Sequence, residues 1–506
     1  MSAPSTRGTL DPARASVPSD ADPLVAAASE VIGGPLGRHA QVRTRRWGGR
    51  GPRRRLTVLP SRPIAAVLAF FAAGLVAFGV VQKGYCLTNG WGGAEVFWHA
   101  CYSDLPRLYV TSGLITGSLP YSEAPGSLNQ PVGTGLLLWA LAQFVPVGPR
   151  EATWFVGLWA VVAALLAAGL TAMTAVTLRR DPWRAAQVAL CPLLVTVVLI
   201  GPELLGVALV GLGLLLWSRD RMVWAGVAFG LAMSARSYAV FVVLVLVMIA
   251  ARAGVLRRAA RLAGTALLTW LAVLLAVGAA GGSAVLTPYR SWLAAGPEFG
   301  APIYLLQLAR VELPLGAVTA VAIAGWIVAL LVGAVCVFVP ARRPAVAEVL
   351  VVVLVVVLLT GKSIPVQATL VLVPIVALAR VPWRDVVVWW GAETCYFVAV
   401  WLYLGGQDDA ARALPAGWYA LFLALRCAAL AYLAVVVLRS ALRRPAAPTP
   451  DELLAAEFES ASEPGPGEDA GAEFETDERA LAARDDPDDV AGPAAGRPDA
   501  LVATFG

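Results

Sequence analysis

Three short interruptions of long apolar runs carry the residues best suited to chemistry in this chain: Gly201-Pro202-Glu203, Arg236-Ser237-Tyr238 and Gly361-Lys362-Ser363-Ile364-Pro365. An ionisable side chain embedded in apolar sequence is costly unless it faces a cavity or a partner, so Glu203, Arg236 and Lys362 are site candidates. Two cations beside a carboxylate suit a lipid-linked phosphate with a hydroxyl to be deprotonated nearby. Taken singly, each could equally be half of a structural ion pair or a loop residue. A second group lies between Lys83 and Pro131 and contains Trp91, Glu95, Trp98, His99, Tyr102, Asp104, Arg107, Tyr109, Tyr121 and Glu123. Aromatic rings next to carboxylates suit a sugar, whose faces stack on rings while its hydroxyls bond to acids. An interfacial aromatic belt would have the same composition.

Metal chemistry has little to work with. Only two histidines, His39 and His99, are present and no Cys-x-x-Cys occurs, so neither a metal site nor a cofactor is expected.

These residues must be positioned by membrane helices. Of 506 residues, 58% are hydrophobic and 14% charged, against about a quarter charged in soluble domains. The composition excludes an ordinary soluble enzyme and fits an all-α, polytopic membrane protein. The net charge of +5 is unevenly placed, because residues 451–506 hold 16 acids against 3 arginines. A basic membrane body points to cytoplasmic loops rather than to a nucleic-acid partner. Residues 1–61, ending in an arginine cluster from Arg43 to Arg55, and the Pro/Ala/Asp/Glu-rich tail 441–506 read as disordered, solvated cytoplasmic flanks of a membrane domain at 62–440.

Apolar runs predict spans at about 63–82, 152–178, 185–200, 204–217, 222–235, 238–251, 262–283, 314–339, 345–360, 367–380, 385–404 and 416–438. Residues 132–147 read as a re-entrant or lateral helix, since a full crossing would put Arg179, Arg180 and Arg184 outside. With about twelve spans, both termini are cytoplasmic in a multi-pass cell-membrane protein, and Lys83–Pro131 and Gly361–Val366 are external. Several middle runs are shorter than the roughly 20 residues a crossing needs, so kinked or incomplete helices are expected. Cys86 and Cys101 share the external loop, where a disulfide can form and would contribute about 3 kcal/mol. Cys191, Cys336, Cys395 and Cys427 read as small core residues.

The run Cys101-Tyr102-Ser103-Asp104-Leu105-Pro106-Arg107-Leu108-Tyr109, followed by Gly117-Ser118-Leu119-Pro120-Tyr121, resembles the first external loop of actinobacterial glycosyltransferase family 87. Members are mannosyltransferase-like integral membrane proteins of the type-C glycosyltransferase fold. Leu204–Tyr238, Gly361–Trp383 and Trp389–Leu404 are similar to three later stretches of that family. The resemblance implies transfer of a sugar, mannose in the first instance, from a polyprenyl-phosphate donor to a lipid or envelope glycan acceptor among the membrane lipids of the external face. It makes Asp104 the general base; Glu203 is the second choice because it is acidic and its loop is expected on the same side. Arg236 and Lys362 would steady the leaving phosphate, and Tyr102, Arg107, Tyr109, Tyr121, Gln130, Tyr238 and Gln367 would bind substrate. Three departures stand out: Asn129-Gln130-Pro131 replaces a Glu-Tyr-Pro, Gly201-Pro202-Glu203 replaces an Asn-Trp-Asp, and Ile364 takes the aromatic position of the late loop, Gly361–Pro365. They keep open a non-catalytic lipid-binding or envelope-assembly member of the same fold. A transporter or lipid flippase is a third class, although no internal repeat is visible. Oligomeric state has no sequence signature here.

Overall fold

The computed structural model describes residues 61–121, 128–179, 181–340, 342–406, 410–442, 489–495, 497, 499 and 500. The basic head, Glu123, Arg180 and most of the acidic tail lie outside the described residues. All regular structure among the described residues is helical. Six helical stretches are long and apolar enough to cross a membrane: Arg62–Gln82, Glu151–Thr177, Leu256–Ala294, Leu315–Phe338, Trp383–Gly405 and Ala416–Ala441. Their outer faces carry side chains such as Phe70, Phe78, Leu165, Leu268, Leu275 and Leu331, all well exposed. Apolar exposure of that extent suits lipid, where the side chain loses nothing by facing outward.

Four more of the expected spans are single helices of 14 to 16 residues: Glu203–Ser218, Met222–Ala235, Ala239–Arg252 and Val346–Leu359. At 1.5 Å per residue they reach about 21–24 Å, short of the roughly 30 Å of a hydrocarbon core. All four are buried over most of their length, although Met222–Ala235 exposes Val223 and Trp224, and Val346 to Val355 are buried without a break. Val132–Ala142, at eleven residues, is also too short to cross, as a lateral or re-entrant helix would be.

The other two expected spans are not continuous helices. Residues 185–200 form a 3-10 turn at Pro182–Ala185 and single turns at Ala186–Ala189 and Leu193–Thr196, and Val197–Ile200 is irregular and buried. Residues 367–380 form a 3-10 turn at Ala368–Val371 and a short helix at Leu372–Leu378. Apolar content made both look like spans, but Pro192 lacks the N–H that would continue the ladder. Broken backbone at this depth is tolerable only when protein surrounds it, and here it does.

Close packing of the helices rests on glycines four apart. A Cβ at Gly226 would lie 2.6 Å from the Leu262 carbonyl oxygen, and one at Gly230 2.5 Å from that of Ala266. The Met222–Ala235 helix therefore touches the Leu256–Gly281 helix backbone to backbone, as small residues allow in membranes. Gly325 and Gly333 instead make room on Leu315–Phe338 for the side chains of Thr360 and Val353.

The bundle has two polar ends. At one, Arg219 lies near Arg179 and Arg221, and Arg258 pairs with Asp220 at 2.6 Å. Arg184 and Arg380 share the same end, where both lie close to Asp489. This is the set of basic loops expected on the cytoplasmic side. Within the segment read as a solvated tail, 489–495 is docked at this end, with Val490 and Ala494 buried. Acidic side chains drew the solvated reading, yet two of them meet arginines here. Of the free cysteines, Cys191 and Cys336 are buried, whereas Cys395 is exposed, on an outward face beside Val388 and Phe422 rather than in the core.

Gly230→Leu is expected to destabilise the bundle by about 1–3 kcal/mol, the usual cost of overpacking. Gly74→Leu should be neutral, because nothing lies within 4 Å of a Cβ there. Thermal melts of the two detergent-solubilised variants check the contrast.

Candidate functional site

The opposite end gathers the chemistry. Cys86 and Cys101 form a disulfide, with Cα atoms 5.9 Å apart, as expected from their shared loop. The bridge closes the turn that delivers Tyr102, Ser103 and Asp104. Within the turn Tyr85 stacks on His99, and Ala100 takes a left-handed φ of 51°. Phe97 and Tyr102 pack against Trp401 of the Trp383–Gly405 helix, with ring centroids 5.9 and 5.1 Å away.

Asp104 begins the helix Asp104–Thr111, whose N-cap is Ser103: the Leu105 N–H donates to Ser103 Oγ at 3.3 Å. Ser103 Oγ in turn donates to the Leu199 carbonyl at 2.7 Å, and the Asp104 N–H donates to that of Ile200 at 2.8 Å. The irregular backbone at 197–200 thus fixes Asp104. Its carboxylate accepts from the Tyr102 hydroxyl at 2.7 Å. Burial raises the Asp104 pKa, opposed by that hydrogen bond and by Arg107, Arg236 and Lys83.

Lys83, which the sequence offers only as a flanking loop charge, is buried here and donates to the Tyr102 carbonyl at 2.8 Å. Burial pulls its pKa down to about 7, against the pull of Asp104 in the other direction. A lysine just past an apolar run normally snorkels to water. The disulfide-closed turn folds over it instead.

Glu203 and Arg236 meet at 2.6 Å, and Arg236 also donates to Gln130 Oε1 at 2.8 Å. Asp104 lies near enough to both to act on each electrostatically. A Cβ at Gly201 would fall 2.5 Å from Glu203 Oε2 and 3.3 Å from Gln367 Nε2, and one at Gly206 2.9 Å from the Tyr238 hydroxyl. Glu203, Arg236, Tyr238, Gln367, Gln130, Tyr102 and Asp104 therefore form one cluster. Arg236 Nε and the Tyr238 hydroxyl are buried without a hydrogen-bond partner among the described residues.

The remaining candidates have other positions. Arg107 is exposed beside Tyr102 and Asp104. Tyr121 donates to the carbonyls of Gln130 and Pro131, at 2.7 and 3.0 Å, and so anchors the loop carrying Gln130. Tyr109 is buried against Phe155, with its hydroxyl 3.4 Å from Glu151, which puts it in the wall. Lys362 and Arg236 are in no recorded contact. Lys362 Nζ donates to the carbonyls of Trp292, Leu293 and Ala295 at 2.8, 3.2 and 2.9 Å, and lies 4.5 Å from the Trp292 ring centroid. Three ammonium hydrogens and three carbonyls make a complete set, so Lys362 pins its loop to the end of the helix Thr287–Ala294.

A second buried constellation holds the late loop from behind. Arg426 and Glu393 pair at 2.9 Å with both side chains at most 1% exposed. Arg426 also donates to the carbonyls of Ile364 and Pro365, at 2.5 and 3.1 Å, and stacks on Tyr396. Their signal was available in the sequence as ionisable residues within apolar runs. Among the described residues, no cluster of His, Cys, Asp and Glu could hold a metal ion.

Lys83 supplies a test by pH. Between about 7 in the folded chain and about 10.4 unfolded, the unfolded chain binds the additional proton, so this group makes the fold more stable as pH rises through that window. Melts of wild type at pH 7 and pH 9 should show the rise, and Lys83→Met should flatten it. An equal rise in both would assign the effect elsewhere.

Comparison of the chain with protein-family models, with curated proteins and with solved structures found no match.

Proposed function

We propose that the chain is a membrane glycosyltransferase of the type-C kind, moving a sugar such as mannose from a polyprenyl-phosphate donor to a lipid or envelope glycan acceptor on the external face. In this reading the short inner helices count among about twelve crossings and both termini are cytoplasmic. The observation that carries the proposal is the convergence of Asp104, Glu203 and Arg236, three ionisable side chains from three separate sequence stretches, at one end of a membrane bundle.

Chemically, the acceptor hydroxyl must lose a proton as its oxygen attacks the anomeric carbon, and the polyprenyl phosphate must leave as an anion. Asp104 takes the proton; a pKa raised by burial makes it a stronger base than a solvated carboxylate. Tyr102 holds the carboxylate in place through its 2.7 Å hydrogen bond. Arg236 and the exposed Arg107 are the cations placed to stabilise the leaving phosphate. Arg236 Nε and the Tyr238 hydroxyl are donors without a partner, suited to phosphate or sugar oxygens. Lys362, whose hydrogens are committed to carbonyls, shapes the site from outside rather than touching phosphate. The closed Glu203–Arg236 pair favours the second reading, a non-catalytic lipid-binding member, because a guanidinium already neutralised holds phosphate less strongly.

Radiolabelled sugar transfer from polyprenyl-phosphate donors to membrane lipids by the purified protein separates the two. Asp104→Asn should lower the rate by about 10²–10⁴-fold with donor binding and melting temperature unchanged. Retained turnover by that variant would move the base to Glu203. Donor binding by a wild type that turns over none of several donors would establish the non-catalytic reading.

A further inference from the structure

The basic end of the bundle is occupied by the chain's own tail. Asp489 pairs with Arg380 at 2.9 Å, and Asp499 pairs with Arg252 at 2.6 Å and lies 3.8 Å from Arg343. Backbone bonds accompany the charges: Trp217 Nε1 donates to the Val490 carbonyl at 2.9 Å, and the Ala500 N–H donates to that of Arg252 at 2.7 Å. After the first aspartate, residues 490–494 are apolar and inserted, with Val490 1% and Ala494 0% exposed. Gly492 has a φ of 56°, and a Cβ there would lie 2.6 Å from the Trp217 carbonyl oxygen, so the segment crosses the tryptophan where only glycine fits. Paired charges ten residues apart, a glycine at the crossing and buried small side chains between them amount to a shaped site for one acidic peptide.

The elements forming this site are the ones that carry the chemistry at the other end. The Glu203–Ser218 helix begins with Glu203 and holds Trp217 in its last turn. The Ala239–Arg252 helix follows Tyr238 and ends on Arg252. The broken stretch after Gln367 leads through Leu372–Leu378 to Arg380. In the two helices fourteen residues separate the ends, about 21 Å, and thirteen residues of broken backbone separate Gln367 from Arg380.

We propose that the basic end is a receptor for an acidic peptide, that the tail segment 489–500 is its tethered ligand, and that docking sets the relative height and rotation of the three elements carrying Glu203, Tyr238 and Gln367. The tether makes docking intramolecular, and because Asp489 and Asp499 make the ion pairs to the basic end, charge reversal within the segment is what releases it. A released tail frees the helix ends to shift against one another, and the opposite end loosens. The importance of that end rests on the proposed function, but the coupling does not, and the test reads backbone protection rather than transfer.

Hydrogen exchange by mass spectrometry on the full-length, detergent-solubilised protein provides the test, comparing wild type with Asp489→Lys/Asp499→Lys and with the charge exchange Asp489→Arg/Arg380→Asp. In wild type, amides of 490–500 should be protected. The double lysine variant should exchange there at least tenfold faster, and amides 207–211 and 242–246, near the far ends of their helices, should exchange several-fold faster. The charge exchange should return protection at both ends. A tail unprotected in wild type, or one that stays protected in the double variant, would overturn charge-directed docking. A tail released with no change at 207–211 and 242–246 would overturn the coupling. Both substitutions of the double variant lie in the tail, outside the bundle whose folding is needed for the readout.

Discussion

A backbone carbonyl inside a lipid-facing bundle cannot turn to water, so each one freed by a broken helix needs a donor from protein. Residues 198–200 free three. Trp159 Nε1 answers Val198 at 3.2 Å, Ser103 answers Leu199, and the Asp104 N–H answers Ile200. The break is thereby the docking point of the disulfide-closed turn, and the turn cannot move without leaving buried carbonyls unsatisfied, each at a cost of several kcal/mol in hydrocarbon. The disulfide closes the turn from its other side. Between these two restraints Asp104 is held to a fixed position, with its carboxylate oriented by Tyr102. The preorganisation that an acid–base residue needs comes here from hydrogen-bond satisfaction in a low dielectric.

The late loop is secured by a different means with the same logic. Its carbonyls at 364 and 365 accept from Arg426, and the charge this brings into the bundle is matched by Glu393. A Cβ at Gly300 would lie 1.9 Å from the Ile364 carbonyl oxygen, so the backbone at Gly300 lies directly on the loop. Lys362 then joins the loop to the end of the helix Thr287–Ala294 through three carbonyls. A buried ion pair of this kind contributes little to stability by itself, since desolvation offsets much of the attraction, but removal of one partner leaves an uncompensated charge. Its consequence is a loop held in place beside Gln367, whose side chain reaches Glu203 in space.

Much of this was legible in the sequence, for reasons that can be stated residue by residue. Glu203, Arg236 and Lys362 were visible because charge in an apolar run is rare, and two of the three share a site. Lys362 was misplaced among the phosphate ligands because sequence cannot tell whether an ammonium faces an anion or carbonyls, which offer it comparable hydrogen bonds. Cys86 and Cys101 were legible from their shared loop. Continuous apolar composition hid the breaks at 185–200 and 367–380, since a fully buried segment has no polar face to report its periodicity. Lys83 was hidden by its ordinary position after a span. Asp489 and Asp499 were indistinguishable from fourteen other acids in their segment, and only the three-dimensional spacing of Arg380 and Arg252 selects them.

The mixture of helix lengths carries the last part of the argument. Stretches of 22 to 27 residues, about 33–40 Å, surround helices of 14 to 16 residues, about 21–24 Å. Glu203 begins one of the short helices and Tyr238 caps the start of another, and Glu203 Oε2 and the Tyr238 hydroxyl are both buried. Burial lowers the local dielectric and strengthens each polar contact, at the cost that every group must be partnered. The network joining Glu203, Arg236 and Gln130 meets most of that demand, and the two donors it leaves, Arg236 Nε and the Tyr238 hydroxyl, mark the direction from which an oxygen-rich substrate would complete it.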